Sequence, residues 1–105
     1  MSDLHDRPTR THDTGALIVL RGDIDNANAD DVRETIATVR RRQGSTVVVD
    51  MADVTFMDSQ GLRVLLEARQ ALAVEGGLLR LVRLPRCVRM VLDLSGVTEL
   101  FSIDD

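Results

Sequence analysis

Three apolar runs of strand length, separated by stretches of helical periodicity, constrain this chain more than any other feature. They are Ala16-Leu17-Ile18-Val19-Leu20, Thr46-Val47-Val48-Val49-Asp50-Met51 and Leu78-Leu79-Arg80-Leu81-Val82. The second run is dense in β-branched residues and lacks polar alternation, which predicts a parallel sheet covered on both faces. Between the first two runs, Val32, Ile36 and Val39 recur at i, i+4 and i+7 and form one helix stripe. After the second run, Leu62, Leu65, Leu66, Arg69 and Leu72 give another apolar face, broken only at Arg69. Val88, Val91 and Leu92 form a third stripe after the last run. Strands that alternate with helices in this way are joined by right-handed crossovers into a mostly parallel sheet. The expected order is β-β-α-β-α-β-α-β. Thr9 to His12 supplies a weak antiparallel edge strand, joined in a hairpin through a turn at Thr14-Gly15. Leu100 to Ile103 closes the chain as a short strand or turn.

Helix signals punctuate these runs. Asn28 is placed to cap the first helix, with Asp30 and Asp31 in its first turn. Arg40, Arg41 and Arg42 sit at its C-terminal end, where cations suit the helix dipole, and Gly44 stops it. Gly22-Asp23-Ile24-Asp25-Asn26 reads as an acidic loop after the first buried strand, and Asp53 to Met57 as a second connection. Phe56 is expected to tuck beneath that connection, while Met57 is assigned to neither core nor surface. Gly76-Gly77 ends the second helix, Pro85 suits position N1 of the third, and Gly96 follows its last turn.

Composition removes several classes of function. At 105 residues, the expectation is one domain spanning residues 1–105, with residues 1–13 a polar segment frayed at its start. A net charge of −4 argues against a general phosphate-backbone binder, so the arginine triplet reads as helix-end solvation. With 2% aromatic residues there is no platform for stacking bases, and no direct nucleic-acid partner is expected. The single cysteine, Cys87, excludes an internal disulfide and a Cys-rich metal site. His5 and His12 have no convincing ligand set beside them, so no metal or cofactor is expected. No apolar run reaches the length of a membrane span and the N-terminus has no signal-like core, so the expected location is the cytoplasm.

The candidate functional stretch is Asp58-Ser59-Gln60-Gly61-Leu62, where the second apolar run passes through a short connection into the second helix. Ser59 falls at the helix mouth, where unpaired N–H groups favour negative charge, phosphate included. Asp58 and Ser59 are also both good N-caps, and capping alone would account for either residue type. Gly61 weakens the first turn. Either it clears space for another protein beside Ser59, or it simply fits a tight helix start. Ser59 as an enzymic nucleophile would need a base, and neither histidine belongs to its stretch. The G-x-S-x-G, P-loop and G-x-G-x-x-G patterns are absent, and no enzyme is expected.

The segment from Val47 to Leu62 resembles the signature of STAS domains, and within them the anti-sigma factor antagonists. The resemblance runs from about Ala16 to Ile103, including the ending from Val88 to Phe101. It implies a STAS-like α/β fold with a mostly parallel central sheet, an antiparallel N-terminal edge strand and flanking helices. It also implies that Ser59 is the phosphoacceptor, and that Asp58, Ser59, Gln60, Gly61 and Asp25 form the partner surface. Asp25 enters through Gly22-Asp23-Ile24-Asp25, which is similar to the family's Gly-Glu-Leu-Asp segment, with Asp at position 23. The implied partners are an anti-sigma factor that is a GHKL-type serine kinase and a PP2C-type phosphatase that resets the switch. The unphosphorylated form would bind the anti-sigma factor and release a sigma factor. The alternative role within the family is a subunit of a stressosome-like or lipid-transport complex. Two features depart from the family: the first strand is unusually polar, and the chain stops at Asp105 where many members add a helix. One sheet face would then be thinly covered, which leaves room for a weak homodimer.

Overall fold

The computed structural model describes residues 9–12, 15–43 and 46–104. The polar segment at residues 1–8, the turn at Thr14 and the helix stop at Gly44 lie outside the described residues, as do the side chains of His12 and Arg42. The chain forms strands β1 (Thr9–His12), β2 (Gly15–Ile24), β3 (Thr46–Met57), β4 (Leu78–Val82) and β5 (Ser102–Asp104). Helices α1 (Ala29–Gln43), α2 (Ser59–Val74) and α3 (Arg86–Leu94) connect them, and a short 3-10 turn at Thr98–Leu100 precedes β5. The expected short strand or turn at Leu100 to Ile103 is both: Leu100 ends the turn, and Ser102 and Ile103 lie in β5.

The sheet order is β1-β2-β3-β4-β5. Strands β2 to β5 are mutually parallel, with Ile18 opposite Val49, Val49 opposite Leu81 and Leu81 opposite Ile103. β1 lies against β2 in antiparallel register, Thr9 opposite Ile18. Parallel strands laid down in sequential order, with right-handed crossovers, place their helices over one face. Burial follows that rule. Ala16, Ile18, Val47, Val49, Leu79 and Leu81 are buried and join Ile36, Leu65, Leu72, Val88 and Leu92 of the helices in one core cluster. The alternate positions Thr46, Val48, Arg80 and Val82 are only half-buried, and Leu78 is exposed. The expected cover on both faces is therefore not found among the described residues. β-branched density marks a strand, but it does not reveal which face the crossovers leave open.

Two strands run past their apolar runs. β2 continues through Arg21–Ile24 and β3 through Ala52–Met57, with Gly22 opposite Val54 and Ile24 opposite Met57. Segments expected as loops are paired instead, because each offers the other a complete backbone partner. The register breaks between Val19 and Arg21 and again between Gly22 and Asp23, and a bulge resets which side chains face inward. Val54 and Met57 are buried, while Phe56 is 49% exposed. Phe56 does not tuck under a loop, because the strand that carries it points it outward.

Candidate functional site

The widened strand pair ends at the mouth of α2. Asp58 is the N-cap, with extended backbone, and its Oδ1 accepts from the N–H groups of Gln60 at 2.9 Å and Gly61 at 3.1 Å. Those donors are two of the four N–H groups that a helix start leaves unpaired. Ser59 is the first residue of the helix and is exposed. The choice between caps is thereby settled: Asp58 caps, and the Ser59 hydroxyl is not needed for it.

The loop from Asp25 to Asn28 lies beside this mouth. The Asp58 N–H donates to the Ile24 carbonyl at 3.2 Å, and the Asn26 N–H donates to Asp58 Oδ2 at 3.3 Å. Asp25 Oδ1 accepts from the Ala27 N–H at 3.0 Å, a tight turn of the kind Asp favours. Asn28 stands where the cap was expected, directly before α1, with its carbonyl accepting from the Val32 N–H at 3.0 Å. Its Oδ1 accepts from the Asp25 N–H at 3.0 Å and its Nδ2 donates to the Asp23 carbonyl at 2.6 Å, so its side chain turns back into the loop. Thr55 Oγ1 donates to Asp23 Oδ1 at 2.8 Å across the strand pair. Asn28 and Thr55 are site residues that sequence reasoning missed. The only signal in the sequence was a polar residue close to aspartates in each case, Asn28 after Asp25 and Thr55 after Asp53, and capping explained Asn28 first.

Gly61 faces inward. A Cβ there would sit 2.7 Å from the Ile24 carbonyl oxygen, 2.7 Å from Met57 Cγ and 2.9 Å from Ile24 Cγ2. The glycine is therefore required by close packing of α2 on the ends of β2 and β3. Because the Cβ position faces inward, the glycine does not clear space for another molecule beside Ser59. Gln60 is half-buried and Leu62 is buried.

The structure thus gathers Asp25, Asp58 and Ser59 at one end of the sheet, with Asp23 close by. This edge is acidic, built on backbone donors and topped by an exposed hydroxyl. Among the described residues no group of three or more His, Cys, Asp or Glu is arranged to hold a metal ion, and no helix is long and apolar enough to cross a membrane. Cys87 is half-buried at the start of α3, with its Sγ 3.6 Å from the Val54 carbonyl.

A family model described as the STAS domain matches residues 7–105. The chain is 33% identical over 96 residues to a Paenibacillus polymyxa protein named anti-sigma F factor antagonist, an alignment covering 90% of this chain and 82% of the relative. It superposes with a TM-score of 0.81 on a crystal structure titled as an anti-sigma factor antagonist from Mycobacterium paratuberculosis, at 25% identity, over 90% of this chain and 80% of the other. The fold is also that of the Bacillus cell fate determinant SpoIIAA, at TM-score 0.70 and 21% identity, over 92% of this chain and 89% of that one. From strand order to helix mouth, and over nearly its whole length, this chain belongs to the STAS domain family.

Proposed function

We propose that this chain is an anti-sigma factor antagonist, a single STAS domain acting in the cytoplasm through partner switching. The carrying observation is the exposed Ser59 hydroxyl at the first position of α2, beside a cap carboxylate and an acidic loop. The 33%-identical relative named anti-sigma F factor antagonist supports the same reading. In the unphosphorylated state the surface around Ser59, Asp58, Gln60 and Asp25 binds an anti-sigma factor and so frees a sigma factor. That anti-sigma factor is a GHKL-type serine kinase. Ser59 Oγ attacks the γ-phosphorus of ATP, the new O–P bond forms as the bond to ADP breaks, and the hydroxyl proton passes to a base of the kinase. A PP2C-type phosphatase hydrolyses the ester and resets the switch. The chain contributes the acceptor hydroxyl and no catalytic group.

The energetics favour an off-switch. A phosphoserine adds about −1.5 to −2 charge. At a helix mouth that charge is stabilised by on the order of 1 kcal/mol, so the domain stays folded. Enclosed in an interface beside Asp58 and Asp25, the same charge costs several kcal/mol in desolvation and repulsion, on the order of 3 to 5 kcal/mol. The test is incubation with ATP and a kinase-type anti-sigma factor captured from native lysate, followed by mass spectrometry. One phosphate at Ser59, and none on Ser59→Ala, is the expected result. Phosphate still incorporated by Ser59→Ala would refute the assignment.

A further inference from the structure

We infer that Asp58 is a positioning residue that ties the loop carrying Asp25 to the mouth of α2, and that a phosphoryl group on Ser59 undoes the tie. The inference rests on the reading of Ser59 as phosphoacceptor and adds how the modification reaches a second segment. Asp58 joins two elements through one carboxylate. Its Oδ1 holds the Gln60 and Gly61 N–H groups of α2, and its Oδ2 holds the Asn26 N–H of the loop. The Asn28 and Asp25 side-chain bonds fix the loop internally, between Asp23, Asp25, Ala27 and Asn28. The bond from Asp58 to Asn26 instead crosses from the helix mouth to the loop, beyond the last strand pair at Ile24 and Met57.

A phosphoryl group at the first helical position acts on that carboxylate in two ways. Its three acceptor oxygens compete for the N–H groups that Asp58 now caps. Its charge also repels the carboxylate one residue away. Of the three N–H contacts to Asp58, the one to Asn26 is the longest, at 3.3 Å against 2.9 and 3.1 Å, and is the first to go. Modification then changes the partner surface twice: it adds charge at Ser59, and it frees the Asn26 end of the loop whose Asp25 faces the partner.

The test is residue-resolved amide hydrogen exchange on the full chain, with phosphoserine installed at position 59 by genetic encoding so that no kinase is involved. The Asn26 amide should exchange about tenfold faster in the phosphoserine chain, as expected on losing one hydrogen-bond acceptor. Gln60 and Gly61 should stay protected, because phosphate replaces the carboxylate there. Unmodified Asp58→Asn keeps a carbonyl oxygen for the helix but turns an amide donor toward Asn26. It should show the same faster exchange, with no further increase when phosphoserine is added. Equal Asn26 exchange in the serine and phosphoserine chains overturns the inference, and so does slow Asn26 exchange in a folded Asp58→Asn chain. If Asp58→Asn does not fold, the serine and phosphoserine chains decide alone. Failure here leaves the kinase assay standing, and a Ser59 that no kinase modifies would sink the functional reading without altering the Asn26 result.

Discussion

At Gly61 the usual effect of glycine in a helix is reversed. Replacing a helical glycine by alanine ordinarily gains up to about 1 kcal/mol of stability. Here the added Cβ meets the Ile24 carbonyl oxygen at 2.7 Å, and backbone cannot yield as a flexible side chain does. Forcing a methyl into a closely packed site costs about 1 to 3 kcal/mol. Gly61→Ala should therefore lower the melting temperature, and thermal unfolding would show it. A gain in stability would mean that α2 is free to move away from β2. The defect in the helix pattern was visible in the sequence. Its cause was not, since the clashing atoms belong to Ile24 and Met57, and nothing local places them opposite Gly61.

The three helices were legible at the level of elements, because their stripes survive in the structure. Val32, Ile36 and Val39 are buried, as are Leu62, Leu65 and Leu72. Pro85 proved to be the residue before α3 rather than its first residue, a shift of one position that its fixed φ allows in either place. The strand ends were less legible. An apolar run marks only part of a strand, and Arg21 to Ile24 and Ala52 to Met57 continue the ladder with exposed Arg21, Asp23, Asp53 and Thr55 interleaved with buried Ile24, Val54 and Met57. The site was half legible for the same reason. Helix-start chemistry marked Asp58 and Ser59 as cap candidates, and the family resemblance singled out Ser59, whereas Thr55 reaches Asp23 across a strand pair whose length was not predicted and Asn28 folds back within its own loop. The α2 core face should support the site without belonging to it. Leu72 is fully buried at the far end of α2 from Ser59, so Leu72→Ala should cost about 2 to 5 kcal/mol in urea unfolding. Affinity for the anti-sigma factor, measured where the variant is still folded, should be unchanged. A weaker complex from a folded Leu72→Ala would show that the mouth of α2 is set by its far end.

On the side of the sheet away from the helices, ion pairs tie β3, β4 and β5 together beside half-buried Val48 and Val82. Asp50, buried in mid-strand on β3, accepts from Arg83 Nη2 at 2.6 Å and from Arg83 Nε at 3.2 Å. Arg83 follows β4 with φ of 54°, a conformation costly for arginine, and its N–H donates to the Asp104 carbonyl of β5 at 3.2 Å. Arg80 and Asp104 pair nearby. Burial pushes the Asp50 carboxyl up, but the Arg83 hydrogen bonds, the Ala52 N–H and the Arg83 charge outweigh it and hold it below its ordinary value. A carboxyl depressed in the folded state adds stability that is present above its unfolded pKa, near about 3.9, and is lost as pH falls through the lower folded value. Asp50→Asn should thus be less stable than the wild type at neutral pH, with the gap closing below about pH 4. Urea unfolding across that range measures it, and a gap as wide at low pH as at neutral pH would contradict the assignment.

The central claim is that charge at one exposed hydroxyl decides whether this domain is bound, and titration calorimetry against the anti-sigma factor tests it most directly. Aspartate carries one charge and two oxygens, against nearly two charges and three oxygens for phosphate, so Ser59→Asp should imitate the modified state only in part. Ser59→Ala adds no charge and leaves the Asp58 cap in place. The account predicts wild type and Ser59→Ala binding alike, Ser59→Asp more weakly, and the phosphoserine chain weakest, by about a hundredfold or more. A phosphoserine chain that binds as tightly as the wild type, or more tightly, would contradict it.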